Sequence, residues 1–229
     1  MIMEPTEVNT EVISSYFSRE IDLSCKFIDL IDELNSSLEL LELPKSIQCI
    51  YNPTIYARHT FEKYVCKYCN TKKQIVYFGM NPGPWGMSQT GISGKRFWGL
   101  FKDLCDTPEN FFNTSFVYNY LPQQWMKSNG CNITPADFKM MEMEPLFEIC
   151  DPIFIRVLEL YDVKTIVAIG KFCEVRAHRA LKKYLPDHSI QVVYLPHPSP
   201  RSVNNNNWDQ KARDHLKKYD LLKFYANSQ

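Results

Sequence analysis

Apolar positions recur at helical spacing over residues 18–43, at Ile21, Leu23, Phe27, Ile28, Leu30, Ile31, Leu34, Leu38 and Leu41. This spacing predicts a helix or helix pair that Pro44 stops. Ile50-Tyr-Asn-Pro53 reads as extended, because the residue before a proline avoids the helical region. The aromatic-rich run 56–69 predicts a helix. Four short, largely apolar runs follow, at 74–78, 116–118, 165–169 and 190–195, as in strands covered on both faces. Between them lie further helical patterns. One runs from a Ser93 cap through Asp103, with Phe97, Trp98, Leu100 and Phe101 on its buried side. A helix or kinked pair runs from the Thr134-Pro135 start to about Tyr161, interrupted near Pro145 and Pro152. A basic amphipathic helix spans 172–185 and carries Arg176, Arg179, Lys182 and Lys183. The last helix spans 208–222. Residues 120–133 read as loop and residues 1–17 as a loosely ordered terminus.

Strands that alternate with helices predict an α/β fold, a parallel sheet with helices on both faces. No repeat or linker composition divides the 229 residues, so residues 18–229 read as one domain. Right-handed crossovers bring every strand-end loop to one edge of such a sheet. Asn81, Asn119 and His197 each fall at or just past the end of a predicted strand, so the topology alone draws them to one rim, where open α/β sheets hold ligands.

Composition adds little and excludes some classes. Basic and acidic residues balance at 26 each, so no global field announces nucleic acid. The halves differ: residues 1–150 carry 13 basic and 18 acidic side chains, residues 151–229 carry 13 and 8. Any nucleic-acid contact should lean on the C-terminal third and its loops. No segment has the apolar length of a membrane span, and the N-terminus lacks the basic start and apolar core of a secretory signal. The eight scattered cysteines suit reduced thiols. Cys66 and Cys69 have zinc-like spacing but no second Cys/His pair at the matching distance, and they read as ordinary thiols.

The most unusual segment follows the first predicted core strand. Four of the eight glycines, Gly79, Gly83, Gly86 and Gly91, fall there together with Pro82 and Pro84. Glycines let a backbone approach a ligand, and prolines keep such a loop rigid. A pocket of two amides and an imidazole, with no carboxylate or lysine, has a narrow chemistry. Asn81 is no strong base, but it can hold a water by accepting one hydrogen bond. That is enough when the electrophile forms by itself, as when a glycosidic bond loosens toward a sugar cation. His197, after a proline-fixed turn, can donate to an anion developing on the leaving group. Asn119 offers a donor beside an acceptor, which matches the N3–H and O4 edge of uracil and mismatches cytosine. The rigid Pro198-Ser-Pro-Arg201 run could fill the space a flipped base leaves in the stack. A phosphate loop over 79–91 is disfavoured, since no Gly-Lys-Ser/Thr ends it and prolines remove the needed donors.

Gly79-Met-Asn-Pro-Gly-Pro-Trp-Gly-Met-Ser-Gln-Thr-Gly91 and His197-Pro-Ser-Pro-Arg201 closely resemble the two signature motifs of the single-strand-selective monofunctional uracil-DNA glycosylase family. Similarity also runs through Ile50-Tyr-Asn-Pro53, Ser93-Gly-Lys-Arg-Phe-Trp-Gly99, Phe116-Val-Tyr-Asn119 and Asn132-Ile-Thr-Pro135, and covers most of residues 27–222. The resemblance implies a three-layer α/β/α sandwich on a four-stranded parallel sheet, the uracil-DNA glycosylase fold. It implies excision of uracil and 5-hydroxymethyluracil from single- and double-stranded DNA in nuclear base-excision repair, by a monomer, with no metal or organic cofactor. Carried over residue by residue, Asn81 positions the water and His197 stabilises the departing base. Asn119 reads the base, and Met80, Gly83 and Met87 line its pocket. Pro198, Ser199, Pro200 and Arg201 wedge into DNA. One block is absent. In the family, Gln-Thr-Gly continues through a Pro-Phe-Gly and several tens of residues, whereas here Gly91 and Ile92 lead straight into Ser93. The phenylalanine that stacks on the base belongs to that block. Weak or absent excision by this chain is the expectation that follows. A DNA-binding relative without a finished pocket is the alternative reading.

Overall fold

A computed structural model describes residues 22–83, 91–202 and 205–225. Helix α1 (Leu23–Glu39) opens at Asp22, whose carboxylate accepts the Ser24 N–H and satisfies an otherwise orphaned donor. It ends at Leu40, short of the Leu43 that spacing predicts. Strand β1 (Cys49–Tyr51) leads into α2 (Pro53–Tyr56) and α3 (Arg58–Tyr68). Then come β2 (Ile75–Gly79), α4 (Ile92–Cys105), α5 (Pro108–Thr114) and β3 (Ser115–Asn119). Short strands β4 (Gln124–Met126) and β5 (Asn132–Ile133) precede a 3-10 turn (Pro135–Asp137). The chain closes with α6 (Met140–Tyr161), β6 (Thr165–Ile169), α7 (Lys171–Tyr184), β7 (Gln191–Leu195), α8 (Trp208–Lys218) and a final 3-10 turn (Leu222–Phe224).

The main sheet has the order β3-β2-β6-β7, and every neighbouring pair is parallel. Alternation along each strand splits the core in two. Val76, Phe78, Phe116, Tyr118, Ile166 and Ala168 face α1, α6 and α7. Ile75, Tyr77, Val167, Ile169, Val193 and Leu195 face α4 and α8, against Phe97, Phe101, Trp208, Ala212 and Leu216. Burial on both faces is why these strands read as largely apolar runs. The result is a three-layer α/β/α sandwich.

The structure corrects several sequence expectations. The 120–133 segment is not plain loop, since β4 pairs antiparallel with both β1 and β5 in a small second sheet. That sheet's strands are too short to show a period, and β1 is exposed along its length. Helix α6 runs unbroken through Pro145 and Pro152. Burial of Met143, Leu146, Phe147, Cys150, Phe154 and Leu158 along it outweighs the hydrogen bonds that the two prolines remove. Ser93 does not cap α4. The cap lies two residues earlier, at Gly91, the helix begins at Ile92, and Ser93 lies in the first turn.

One member of the predicted basic face is not on the surface. Arg176 is buried and pairs with Asp151 at 2.9 Å, while the Tyr120 hydroxyl donates to the same carboxylate at 2.7 Å. The guanidinium also lies 4.2 Å over the Phe147 ring. Burial pushes the Asp151 carboxyl up, and the Tyr120 hydrogen bond and the Arg176 charge oppose that rise.

Candidate active site

Because the four strands are parallel, their carboxyl ends share one edge. Asn119 is the last residue of β3 and pairs in register with Gly79, the last residue of β2. The Asn119 side chain lies across Gly79, where a Cβ would sit 2.6 Å from Asn119 Oδ1. Only glycine permits that approach. No hydrogen bond to the protein engages the Asn119 amide among the described residues. The chain beyond β2 is tied to the chain beyond β3, with the Tyr120 N–H donating to Gly79 O and the Leu121 N–H to Met80 O, both at 2.9 Å. Asn81 follows at once, half-buried, its Nδ2 donating to Pro82 O at 3.2 Å.

His197 stands two residues past β7, on the far side of β6. Gly170, which directly follows β6, has φ +87°, and a Cβ there would meet His197 Cβ at 3.5 Å and Cδ2 at 3.7 Å. The imidazole therefore rests over a residue in a left-handed conformation that favours glycine. His197 Nδ1 accepts the Ser199 N–H at 3.1 Å, so in the neutral ring the proton is on Nε2. The residue is exposed at the rim, yet protein surrounds much of the ring, and this desolvation lowers its pKa below the ordinary 6.5. Water still reaches the ring, which limits the size of that shift.

Three side chains brace the His197–Arg201 segment. Asn205 Nδ2 donates to both His197 O and Ser199 O at 2.8 Å. Arg96 Nη1 donates to Pro198 O at 3.3 Å and Asn205 O at 3.1 Å. Trp208 Nε1 donates to Pro196 O at 2.7 Å. Within the turn, Ser199 Oγ accepts the Arg201 N–H at 3.2 Å. Pro198 is buried, and Pro200 and Arg201 are exposed.

Beside Asn119 opens a cavity of about 310 Å3, within the ~300–1,000 Å3 usual for small-molecule sites. It is lined by the apolar and aromatic side chains of Phe27, Ile31, Phe61, Tyr64, Trp98 and Tyr118, with Thr54 and Asn119 among its polar lining residues. Phe97 is core as predicted, whereas Trp98 is half-buried and forms part of this wall.

The backbones of Met80, Asn81, Gly83, Asn119 and His197 thus share the carboxyl edge of the sheet. Met87 lies outside the described residues. Sequence reasoning missed Arg96, Asn205, Trp208 and Gly170. Arg96 had a signal, since it sits in one of the family-like segments. Asn205 stood in an asparagine run where nothing marks one member as buried. The one buried lysine among the described residues, Lys73, precedes β2 at the opposite edge and donates to Thr71 Oγ1 at 2.9 Å. Among the described residues no group of three or more His, Cys, Asp or Glu side chains could hold a metal ion. No helix among them is long and apolar enough to cross a membrane.

A parallel sheet covered on both faces, with amides and an imidazole at its carboxyl rim, defines an α/β/α protein with a polar strand-end cleft. A model of the uracil DNA glycosylase superfamily matches residues 66–220. The single-strand selective monofunctional uracil DNA glycosylase of Mus musculus is 32% identical over 262 residues, covering 96% of this chain and 89% of its own length. That of Rattus norvegicus is 36% identical over 230 residues, covering 82% of each chain. The crystal structure of wild-type SMUG2 from Pedobacter heparinus superposes with a TM-score of 0.63 at 16% identity, over 86% of this chain and 98% of that one, a likeness of fold. The chain belongs to the uracil-DNA glycosylase superfamily. Within it, the chain is a homologue of the single-strand selective monofunctional enzymes, and so a monofunctional DNA glycosylase that hydrolyses N-glycosidic bonds. The alignment with the mouse relative is longer than this chain, 262 positions against 229 residues, so that relative carries segments without counterpart here.

Proposed function

We propose that this chain excises uracil and 5-hydroxymethyluracil from single- and double-stranded DNA, flips the base to do so, and leaves an abasic site. It acts as a monomer in nuclear base-excision repair. The observation that carries this reading is the pair of unspent polar groups on one rim. These are an Asn119 amide with no hydrogen-bond partner among the described residues and an imidazole whose Nδ1 is occupied, so that Nε2–H is the available donor. The Asn119 carboxamide accepts from uracil N3–H and donates to O4; cytosine presents the opposite polarities. As the bond between base and sugar breaks, its electron pair stays on the base, and His197 Nε2–H donates to the oxygen anion that results. Asn81 holds the water that adds to the sugar carbon; the proton this water loses passes through solvent to the base anion, so the base leaves neutral and the sugar keeps the hydroxyl. A neutral imidazole suits this task, because it stabilises the anion without adding a full charge to the free site. Met80, Gly83 and Met87 line the pocket, and Pro198–Arg201 occupies the gap in the stack.

The test is alkali-revealed cleavage of a uracil-containing single strand. Cleavage by the parent chain that disappears in Asn81→Ala and in His197→Leu is the expected result. Cleavage that survives both substitutions overturns the assignment.

The short path from Gly91 into α4 favours a second reading. Without the block that carries a stacking aromatic in relatives, the chain binds damaged DNA and excises weakly or not at all. Salt-sensitive binding with no cleavage would select it.

A further inference from the structure

Large apolar side chains are exposed in few places among the described residues, and Ile50, Tyr51, Ile55 and Tyr56 fall within a single seven-residue segment, 50–56. Tyr51 and Tyr56 form a pair, with ring centroids 4.2 Å apart and planes inclined by 33°. Both rings remain open to solvent, at 39% and 60% exposure, which is unusual for two large aromatics in contact.

The pair is held in place from below. Asn52 Oδ1 accepts from the Thr54 N–H at 3.1 Å and the Thr54 hydroxyl at 2.8 Å, and Asn52 Nδ2 donates to Asn35 Oδ1 at 2.9 Å. Asn35 Nδ2 donates on to Thr54 Oγ1 at 2.9 Å, which closes a ring of three side chains anchored in α1. From the side, β1 is hydrogen-bonded to β4, with Tyr51 in register with Gln124. A turn this well fixed, with two aromatics pointing outward, exceeds what the core requires.

Its position assigns it a ligand. Pro53 and Thr54, two of the four residues between the two tyrosines, line the cavity that Asn119 also lines. The segment that carries the tyrosine pair thus borders the cavity beside Asn119, the residue proposed to read the excised base. Two exposed lysines flank this small sheet: Lys127 directly follows Met126, which pairs with Cys49, and Lys45 lies in the turn four residues before β1. Neither has a protein partner among the described residues.

We propose that Tyr51 and Tyr56 form a stacking platform for an unpaired nucleobase next to the excised one, with Lys45 and Lys127 facing the phosphates of that single strand. Any base has a π-face, so the platform tolerates every sequence. A neighbouring base in a duplex is already stacked and paired, and cannot reach it. The platform therefore strengthens binding of single strands and leaves duplex binding alone. This inference rests on the glycosylase reading for its choice of ligand, but not on turnover.

The test uses the full chain and the double substitution Tyr51→Ala/Tyr56→Ala, with Tyr51→Phe/Tyr56→Phe as its conservative partner. Affinity is measured by anisotropy for a labelled single strand and for its duplex, each with 2-aminopurine beside the uracil. We expect quenching of 2-aminopurine when the parent binds the single strand. In the alanine variant the quenching is lost and single-strand affinity falls about tenfold or more. The phenylalanine variant keeps both, and duplex affinity stays within about twofold throughout. Equal losses on single strand and duplex, or parent binding without quenching, would overturn the proposal. Quenching by a parent that releases no uracil keeps the platform and removes the enzymatic reading, so the two fail separately.

Discussion

Gly79 and Asn119 are neighbours in register on adjacent parallel strands, and a methyl group on the first would collide with the carboxamide oxygen of the second at 2.6 Å. The base-reading amide is therefore seated on a residue chosen for having no side chain. Gly79→Ala should push Asn119 out of position while sparing the sheet. The expected result is a fall in kcat/KM on a uracil strand of at least ~10-fold, ~1.4 kcal/mol of transition-state stabilisation, with Tm within a few degrees of the parent. Unchanged kinetics would show that Asn119 does not need this seat.

The protonation of His197 makes a second prediction. Its folded pKa lies below the ordinary 6.5, because desolvation penalises the charged ring. As pH falls below 6.5 the unfolded chain takes up this proton more readily than the folded one, so the stability due to the neutral ring is complete above 6.5 and is lost as pH falls through the folded value. Imidazole NMR should give a titration midpoint below 6.5 and, above it, the Nε2–H form. A midpoint above 6.5 would contradict this account.

Asn205 is expected to act as a positioning residue. It donates two hydrogen bonds, to His197 O and Ser199 O. Asn205→Ala removes both, at ~1–3 kcal/mol in all. Because the His197 backbone loses its tie, kcat should fall more than KM rises. If kcat and KM are unchanged and only Tm falls, the contact is structural alone. Arg96→Met should act in the same direction, since Arg96 holds Pro198 O and Asn205 O.

The buried pair of Asp151 and Arg176 gives a stability test remote from the rim. Arg176→Met leaves a buried carboxylate with only the Tyr120 hydroxyl, at a cost of ~3–5 kcal/mol in unfolding free energy. Asp151→Leu combined with Arg176→Met should recover much of that loss, because neither charge is then left alone. Denaturant unfolding of the single and double variants decides it, and a double variant less stable than Arg176→Met would refute it.

The large elements were legible along the chain. The 165–169 run coincides with β6, and the 74–78 run is displaced from β2 by a single residue, because a strand covered on both faces leaves a largely apolar signature. The glycine- and proline-rich break after β2 marked where regular hydrogen bonding stops. Asn81, Asn119 and His197 stood out because they occupy strand ends, which parallel topology gathers on one edge. The β4 and β5 strands could not be read, being three and two residues long. The prolines of α6 misled for a related reason, since local propensity records the lost hydrogen bonds and not the burial that offsets them.

What the sequence by itself determined is the order of strands and helices and the chemistry available at each strand end, since both follow from local period and residue type. Only the tertiary structure decided that Asn205 and Arg96, distant along the chain, hold successive backbone carbonyls of the 197–199 turn, Asn205 those of His197 and Ser199 and Arg96 that of Pro198. It alone decided that Asn119 lies across Gly79, and that Tyr51 and Tyr56 stay exposed beside the cavity. Such relations depend on distances between segments far apart in the chain, and those distances exist only once the two cores have closed on the sheet.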